Sequence, residues 1–239
     1  MRALKIVAEG LTASFRYPHF MFGVQPTFEM PPPATLYGHI ASALGEWFDP
    51  QGVRFAVRFQ FLRKQADIET TYLLTPAGGR LPGNRAFSKV LEGNANPFKR
   101  EILFFPRMTL YLNRPEWLDA FRQPRYAVCL GRSQDLFTYR KVEVVDLQSA
   151  EEVVLEHTLL PYTYAAYTAA GQAVLMPRLL DYTHKRYPTF ERYIILHRRV
   201  HTRHFTRYEG QPVLEPWLAD PTEPVGEGEF LGVVWLSWV

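Results

Sequence analysis

A chain of 239 residues that is 47% hydrophobic, 15% aromatic and 21% charged has an ordinary globular make-up and enough length to bury a core without covalent staples. That excludes a disordered or fibrous chain. No apolar run approaches the roughly 18 residues of a membrane helix, and Glu9 and Gly10 break any signal-peptide core, so a soluble, cytoplasmic protein is expected. The net charge of +3 says little about partners, whereas 21 arginines against 6 lysines either supply planar forks for phosphate and base edges or reflect a GC-rich genome.

Alternation over Leu4, Ile6 and Ala8 predicts a first strand reaching Phe15. Tyr17 to Met30 is aromatic-rich and irregular. Pro31, Pro32 and Pro33 then open a helix, because proline is tolerated in a first turn, and Leu36, Ile40, Leu44 and Trp47 share one of its faces. It ends near Gly45 to Gly52, where Asp49, Pro50 and Gly52 are turn residues. Val53, Phe55, Val57, Phe59 and Phe61 form the clearest half-buried strand, and another covers Ile68 to Leu74. From Pro76 to Arg100 glycines and asparagines interrupt every period, which predicts a long, mobile insertion poor in apolar surface. It holds Arg80, Arg85, Lys89, Lys99 and Arg100 against a lone Glu92.

A strand is expected at Glu101 to Leu112, followed by a short helix capped by Asn113, with Pro115 in its first turn and Trp117, Leu118 and Phe121 facing inward. A further strand covers Tyr139 to Leu147. The single Cys129 has no disulfide partner and no neighbour at metal-site spacing, which fits a packing role in a reducing compartment. Strand, helix, strand, strand, helix, strand, here with one additional strand leading into the insertion, is the order of an α+β, ferredoxin-like or RRM-like domain, assigned to residues 1–149. Residues 150–239, with Tyr162, Tyr164, Tyr167 and a basic stretch at His197 to Arg207, are assigned to a smaller β-rich C-terminal lobe.

Two short stretches suit an anionic ligand. In the turn Leu130-Gly131-Arg132-Ser133, glycine lets a phosphate reach the backbone while Arg132 and Ser133 supply a fork and a hydroxyl; a plain glycine turn with a solvated arginine reads the same. The helix entry places Thr35, Tyr37 and Gly38 near Arg16, where free N–H groups attract phosphate, although simple helix packing explains the same spacing. His197, His201 and His204 have helical metal spacing for two of the three, but flanking arginines repel a cation and no carboxylate or cysteine completes the set. As a strand, Arg199, His201, Arg203 and Arg207 would line one cationic face for nucleic acid or an acidic partner. No phosphate loop or nucleophile elbow occurs, and no metal or cofactor is expected.

The proline-threonine entry to the helix with Tyr37-Gly38, the Gly131-Arg132-Ser133 turn and the Gly-rich basic insertion together resemble the CRISPR-associated Cas-five family of the RAMP superfamily of ferredoxin-like RNA binders. The resemblance covers most of residues 1–150. It implies one copy at the foot of a type I Cascade complex, holding the 5′ handle of the crRNA and capping the backbone filament, with Pro76 to Arg100 as its thumb. Partners would be the crRNA, the backbone and large subunits, and target DNA through the assembled complex. RNA contacts would fall on Arg16, Thr35, Tyr37, Gly38, Gly131, Arg132 and Ser133 and on the basic residues of the thumb. One subfamily cuts the guide precursor with a tyrosine, a lysine and a histidine; here Lys99-Arg100-Glu101 lacks the histidine, so a non-catalytic subunit is expected. The alternatives are a metal-independent endoribonuclease and a protein-only scaffold.

Overall fold

A computed structural model describes residues 1–20, 23–206 and 216–239. In chain order its main elements are β1 (Arg2–Gly10), α1 (Pro33–Leu44), β2 (Arg54–Gln60), β3 (Arg63–Pro76), β4 (Leu91–Phe104), β5 (Arg107–Leu112), α2 (Leu118–Arg122) and β6 (Phe137–Asp146). There follow β7 (Thr158–Pro161), β8 (Gln172–Asp181), β9 (Tyr187–Leu196), β10 (Trp217–Gly226), β11 (Glu229–Gly232) and β12 (Leu236–Ser237). The fold is α+β and mostly sheet.

The central sheet runs β6-β1-β5-β2-β7-β9-β8, with β12 also paired to β2. Its pairings are all antiparallel. The sheet passes through the expected boundary at 149/150, since Thr158 of β7 lies opposite Arg58 of β2 and its hydroxyl donates to the Val57 carbonyl. A second apolar core, built from Val153, Leu155, Leu160, Tyr164, Ile194 and Trp217 among others, nevertheless lies wholly within the C-terminal part.

The period-two pattern sorts β1 and β2 as read from the sequence: Leu4, Ile6, Phe55, Val57 and Phe59 are buried in the main core beneath α1. Leu36 and Ile40 of α1 and Phe121 of α2 close that core. Trp238, next to the C-terminus, stacks on Phe55 at 4.2 Å and donates its indole N–H to the Pro33 carbonyl at 2.8 Å, so the last strand pins the start of α1. On the opposite sheet face Lys5 is fully buried and donates to Asp220, Thr222 and Glu223, each at 2.7 Å, tying β10 to β1.

Several local expectations are corrected. Gly45, at φ 87°, caps α1 in the left-handed conformation, so Trp47 lies beyond the helix and is 57% exposed. Asn113 does not cap α2; its side chain accepts from the Arg54 N–H and donates to the Gly52 carbonyl, bridging the loop ahead of β2. The strand expected over Glu101 to Leu112 is broken at Phe105, which takes φ 52° before Pro106. The largest correction is the insertion. Instead of an irregular loop, β3 and β4 pair residue for residue from Arg63↔Phe104 to Pro76↔Leu91, and a small hairpin of Arg80–Leu81 with Asn84–Ser88 forms the tip.

Strands of 14 residues at about 3.4 Å per residue make an arm roughly 45 Å long. Its register puts Ile68, Tyr72 and Leu74 on one face, with Ala95, Gly93 and Leu91 across or diagonal to them, and the alternation hides this because the partner strand supplies the small residues. That apolar face is solvent-exposed, and its large side chains Ile68, Tyr72 and Leu74 come from the expected strand ahead of Pro76.

Candidate nucleic-acid interface

The β8–β9 hairpin folds back so that its tip reaches the outer side of α1. Between them lies a cleft of about 590 Å³, lined by Arg16, Thr35, Gly38 and Gly131 from the expected set, by Trp47, expected on the packed face of α1, and by His39, Ser42, Tyr182 and Arg186. Arg16 enters it from a two-residue strand, Phe15–Arg16, paired with Thr27–Phe28. The lining contains two arginines and no carboxylate, so its potential favours an anion.

The helix entry contributes less than expected. Pro33 has no N–H, and the N–H groups of Thr35 and Leu36 both turn back to the Pro32 carbonyl, at 2.8 and 3.1 Å, which leaves Ala34 as the one donor in the first turn that can face a ligand. Gly38 is different. A Cβ built on it would meet nothing nearer than the Tyr182 hydroxyl at 4.0 Å, so packing within the chain does not require glycine there. Gly131 is required: at φ 108°, a Cβ would come within 2.8 Å of the Ser14 carbonyl oxygen.

His39 is buried between α1 and the segment at Cys129. Its Nδ1 lies 2.9 Å from the Cys129 carbonyl oxygen, which only accepts, so Nδ1 carries the proton and Nε2 accepts from the Tyr139 hydroxyl at 3.0 Å. Burial pushes its pKa below the ordinary value. A neutral ring with both nitrogens engaged has no free base to offer.

The aromatic wall is Trp47 stacked on Tyr182 at 3.7 Å. Arg186 lies over the Tyr182 ring, 5.7 Å from its centre. The turn between β8 and β9 is set by Asp181, which accepts from the N–H and hydroxyl of Thr183 and from His184; these bonds, Thr183 first, draw its carboxyl down to about 2. Lys185 and Arg186 both take positive φ, 56° and 60°, a conformation that non-glycine residues seldom adopt.

Other expected residues lie elsewhere. Tyr37 is buried, its hydroxyl donating to the Phe48 carbonyl and its ring packed against Trp238. Arg132 is not a solvated fork: Nε and Nη2 bond the fully buried Asp135 at 2.9 and 2.7 Å, and Nη1 reaches Glu69 at 3.3 Å. Ser133 is exposed on that turn. Arg100, buried at the root of the arm, bonds the other oxygen of Glu69, so Glu69 bridges Arg100 to Arg132. Lys99 is exposed beside it, while Arg80, Arg85 and Lys89 sit at the far end, with Arg80 donating to the Arg85 carbonyl and Lys89 paired to Glu92 at 3.0 Å. These five basic residues therefore divide between the two ends of the arm.

The basic stripe does not form one strand face. A two-residue strand, Val200–His201, gives way to a 3₁₀ turn, Thr202–His204, and Phe205 is buried in the second core. Arg199 pairs with Glu156, and His201 and Arg203 share Glu229. Arg207 lies outside the described residues. Among the described residues no group of three or more potential metal ligands is found, and no helix is long and apolar enough to cross a membrane.

No family model and no curated protein matches the chain. Among solved structures, a chain from a CRISPR RNA-guided surveillance complex matches with a TM-score of 0.52 and 19% identity, covering 83% of this chain and 89% of that one. Two looser matches are a CRISPR protein from Archaeoglobus fulgidus (TM-score 0.44, 10% identity, covering 83% and 87%) and a chain from the Type III-B Cmr-beta complex bound to cognate target RNA and AMPPnP (0.42, 11%, 85% and 86%). This chain shares its fold with that chain of the RNA-guided surveillance complex.

Proposed function

We propose that this protein is an RNA-binding subunit of a type I CRISPR effector complex, holding the 5′ handle of the crRNA in the cleft over α1 and capping the backbone filament. The observation that carries the reading is the cleft itself. Four residues expected from sequence to touch RNA line one concave surface that has two arginines, three hydroxyl side chains and no carboxylate. The shared fold supports the assignment, as does the sheet order β6-β1-β5-β2, in which the fourth, first, third and second strands of a ferredoxin-like RAMP domain follow one another. In this reading the β3–β4 arm is the thumb, inserted between the second and third strands of that domain. Its exposed apolar face suits a backbone subunit, and its basic tip suits the RNA beyond.

The subunit is non-catalytic in this proposal, because no histidine stands beside Lys99 and the one imidazole at the cleft is neutral and fully bonded. Purified protein incubated with labelled repeat RNA should retain it, with affinity falling steeply as salt rises, and leave it uncut without added metal. Absence of binding would overturn the RNA-binding reading. Site-specific cleavage would instead establish the endoribonuclease alternative.

A further inference from the structure

We infer that Trp47 and the tip of the β8–β9 hairpin form a nucleotide subsite, in which one base of single-stranded RNA stacks on Trp47 while Arg186 and Arg16 take the flanking phosphates. The inference rests on the RNA-binding reading and gives the C-terminal part of the chain a share in it. All five tryptophans fall in the described residues, and Trp47 is the exposed one. A ring that size left 57% exposed, stacked on Tyr182 at 3.7 Å and on Tyr37 at 5.8 Å, offers an aromatic cluster that a further base can extend.

The charges stand ready beside that platform. Among the described residues no carboxylate pairs with Arg16 or Arg186, and none lines the cleft between them. Arg186 is brought to the cleft at a cost, since it and Lys185 hold the left-handed conformation that a glycine would adopt without strain. The Asp181 bonds keep the turn in that shape. The floor opposite is Gly38, where a missing side chain leaves room for a ribose or phosphate. The volume of about 590 Å³ lies within the roughly 300–1,000 Å³ of pockets that bury a small ligand.

The test titrates the full chain with repeat-derived single-stranded RNA, following tryptophan fluorescence alongside a separate filter-binding measurement. Stacking should quench Trp47 emission, and Trp47→Leu should remove the quench and weaken binding about ten- to hundredfold. Arg186→Gly should lower the salt slope by about one while leaving the melting temperature unchanged or raised, because it removes a phosphate contact and relieves strain together. Lys185→Gly relieves the same strain outside the cleft lining and should keep the slope. If RNA binds Trp47→Leu and Arg186→Gly as tightly as the native chain, the subsite is refuted while the wider reading stands. If the native chain binds no RNA, the wider reading fails first. A preference for single-stranded DNA of the same sequence would refute the assignment to RNA.

Discussion

Arg132 and Asp135 form a two-pronged ion pair at 2.7 and 2.9 Å, with the carboxylate fully buried and also accepting from the Arg132 N–H and the Thr12 hydroxyl. A guanidinium spent in this way holds a turn instead of a phosphate. Arg132→Ala leaves a buried carboxylate short of its counter-charge, and a loss of about 3 kcal/mol is expected in urea unfolding. The salt slope of RNA binding should stay as it was, whereas Arg16→Ala should lower it by about one. A stable Arg132→Ala protein with a reduced slope would reverse the two roles.

The strand β2 was legible because its large apolar side chains fall on one face, so Val53, Phe55, Val57 and Phe59 record the main core in a period of two. The first strand of the arm was legible at Ile68 to Leu74, but its return strand was not, because both faces meet solvent and Gly93 and Ala95 opposite Leu74 and Tyr72 have no local signature. The cleft was half legible. Arg16, Thr35, Gly38 and Gly131 stood out as punctuation and charge, but Tyr182 and Arg186 come from a hairpin more than a hundred residues later, and only the fold brings them to α1. Arg132 misled because its partner, Asp135, sits just past the Leu130-Gly131-Arg132-Ser133 turn, whose sequence suits an anionic ligand.

The outer arm contributes little to the stability of the rest. Lys99 and Arg100 pair with Val24 and Gln25, and Glu69 reaches Arg132 and Gln134; beyond the Glu69–Phe98 pair, among the described residues, its strands hydrogen-bond only to each other. Thr70 lies opposite Pro97, so joining them through an Asn-Gly turn removes residues 71–96 without opening the register. Thermal melting should shift by less than about 3 °C, roughly 1 kcal/mol in a chain of this size. A deeper cut that also removes Glu69 and Arg100 should lower the melting temperature clearly, since it takes away the bridge to Arg132. Equal effects of the two cuts would show that the outer arm is packed on the body.

His39 sets a pH dependence. Its folded-state pKa lies below the ordinary 6.5, so the unfolded chain takes up the proton first. Stability from this group is complete above that ordinary value and falls as the pH drops through it. His157, also lowered by burial, acts in the same window, so the comparison must be with a variant that changes His39 alone. Between about pH 7.5 and about pH 5.5, the urea midpoint should fall further for the native chain than for His39→Gln. Parallel curves would mean that the ring titrates as freely folded as unfolded.

Gly38 separates packing from binding. It lies in the middle of α1, where glycine costs about 1 kcal/mol relative to alanine, and a methyl group there would meet only the Tyr182 hydroxyl at 4.0 Å. Gly38→Ala should therefore stabilise the isolated protein by up to about 1 kcal/mol in urea unfolding. If RNA rests against this floor, the same methyl stands where the backbone of the ligand would lie, and affinity should fall as stability rises. Gly38→Gln should deepen the loss of binding, because a longer side chain reaches across the cleft toward Arg186. A side chain important only to the fold cannot produce opposite signs in the two measurements. Unchanged affinity in both variants would place the RNA away from α1, whatever the stability shows.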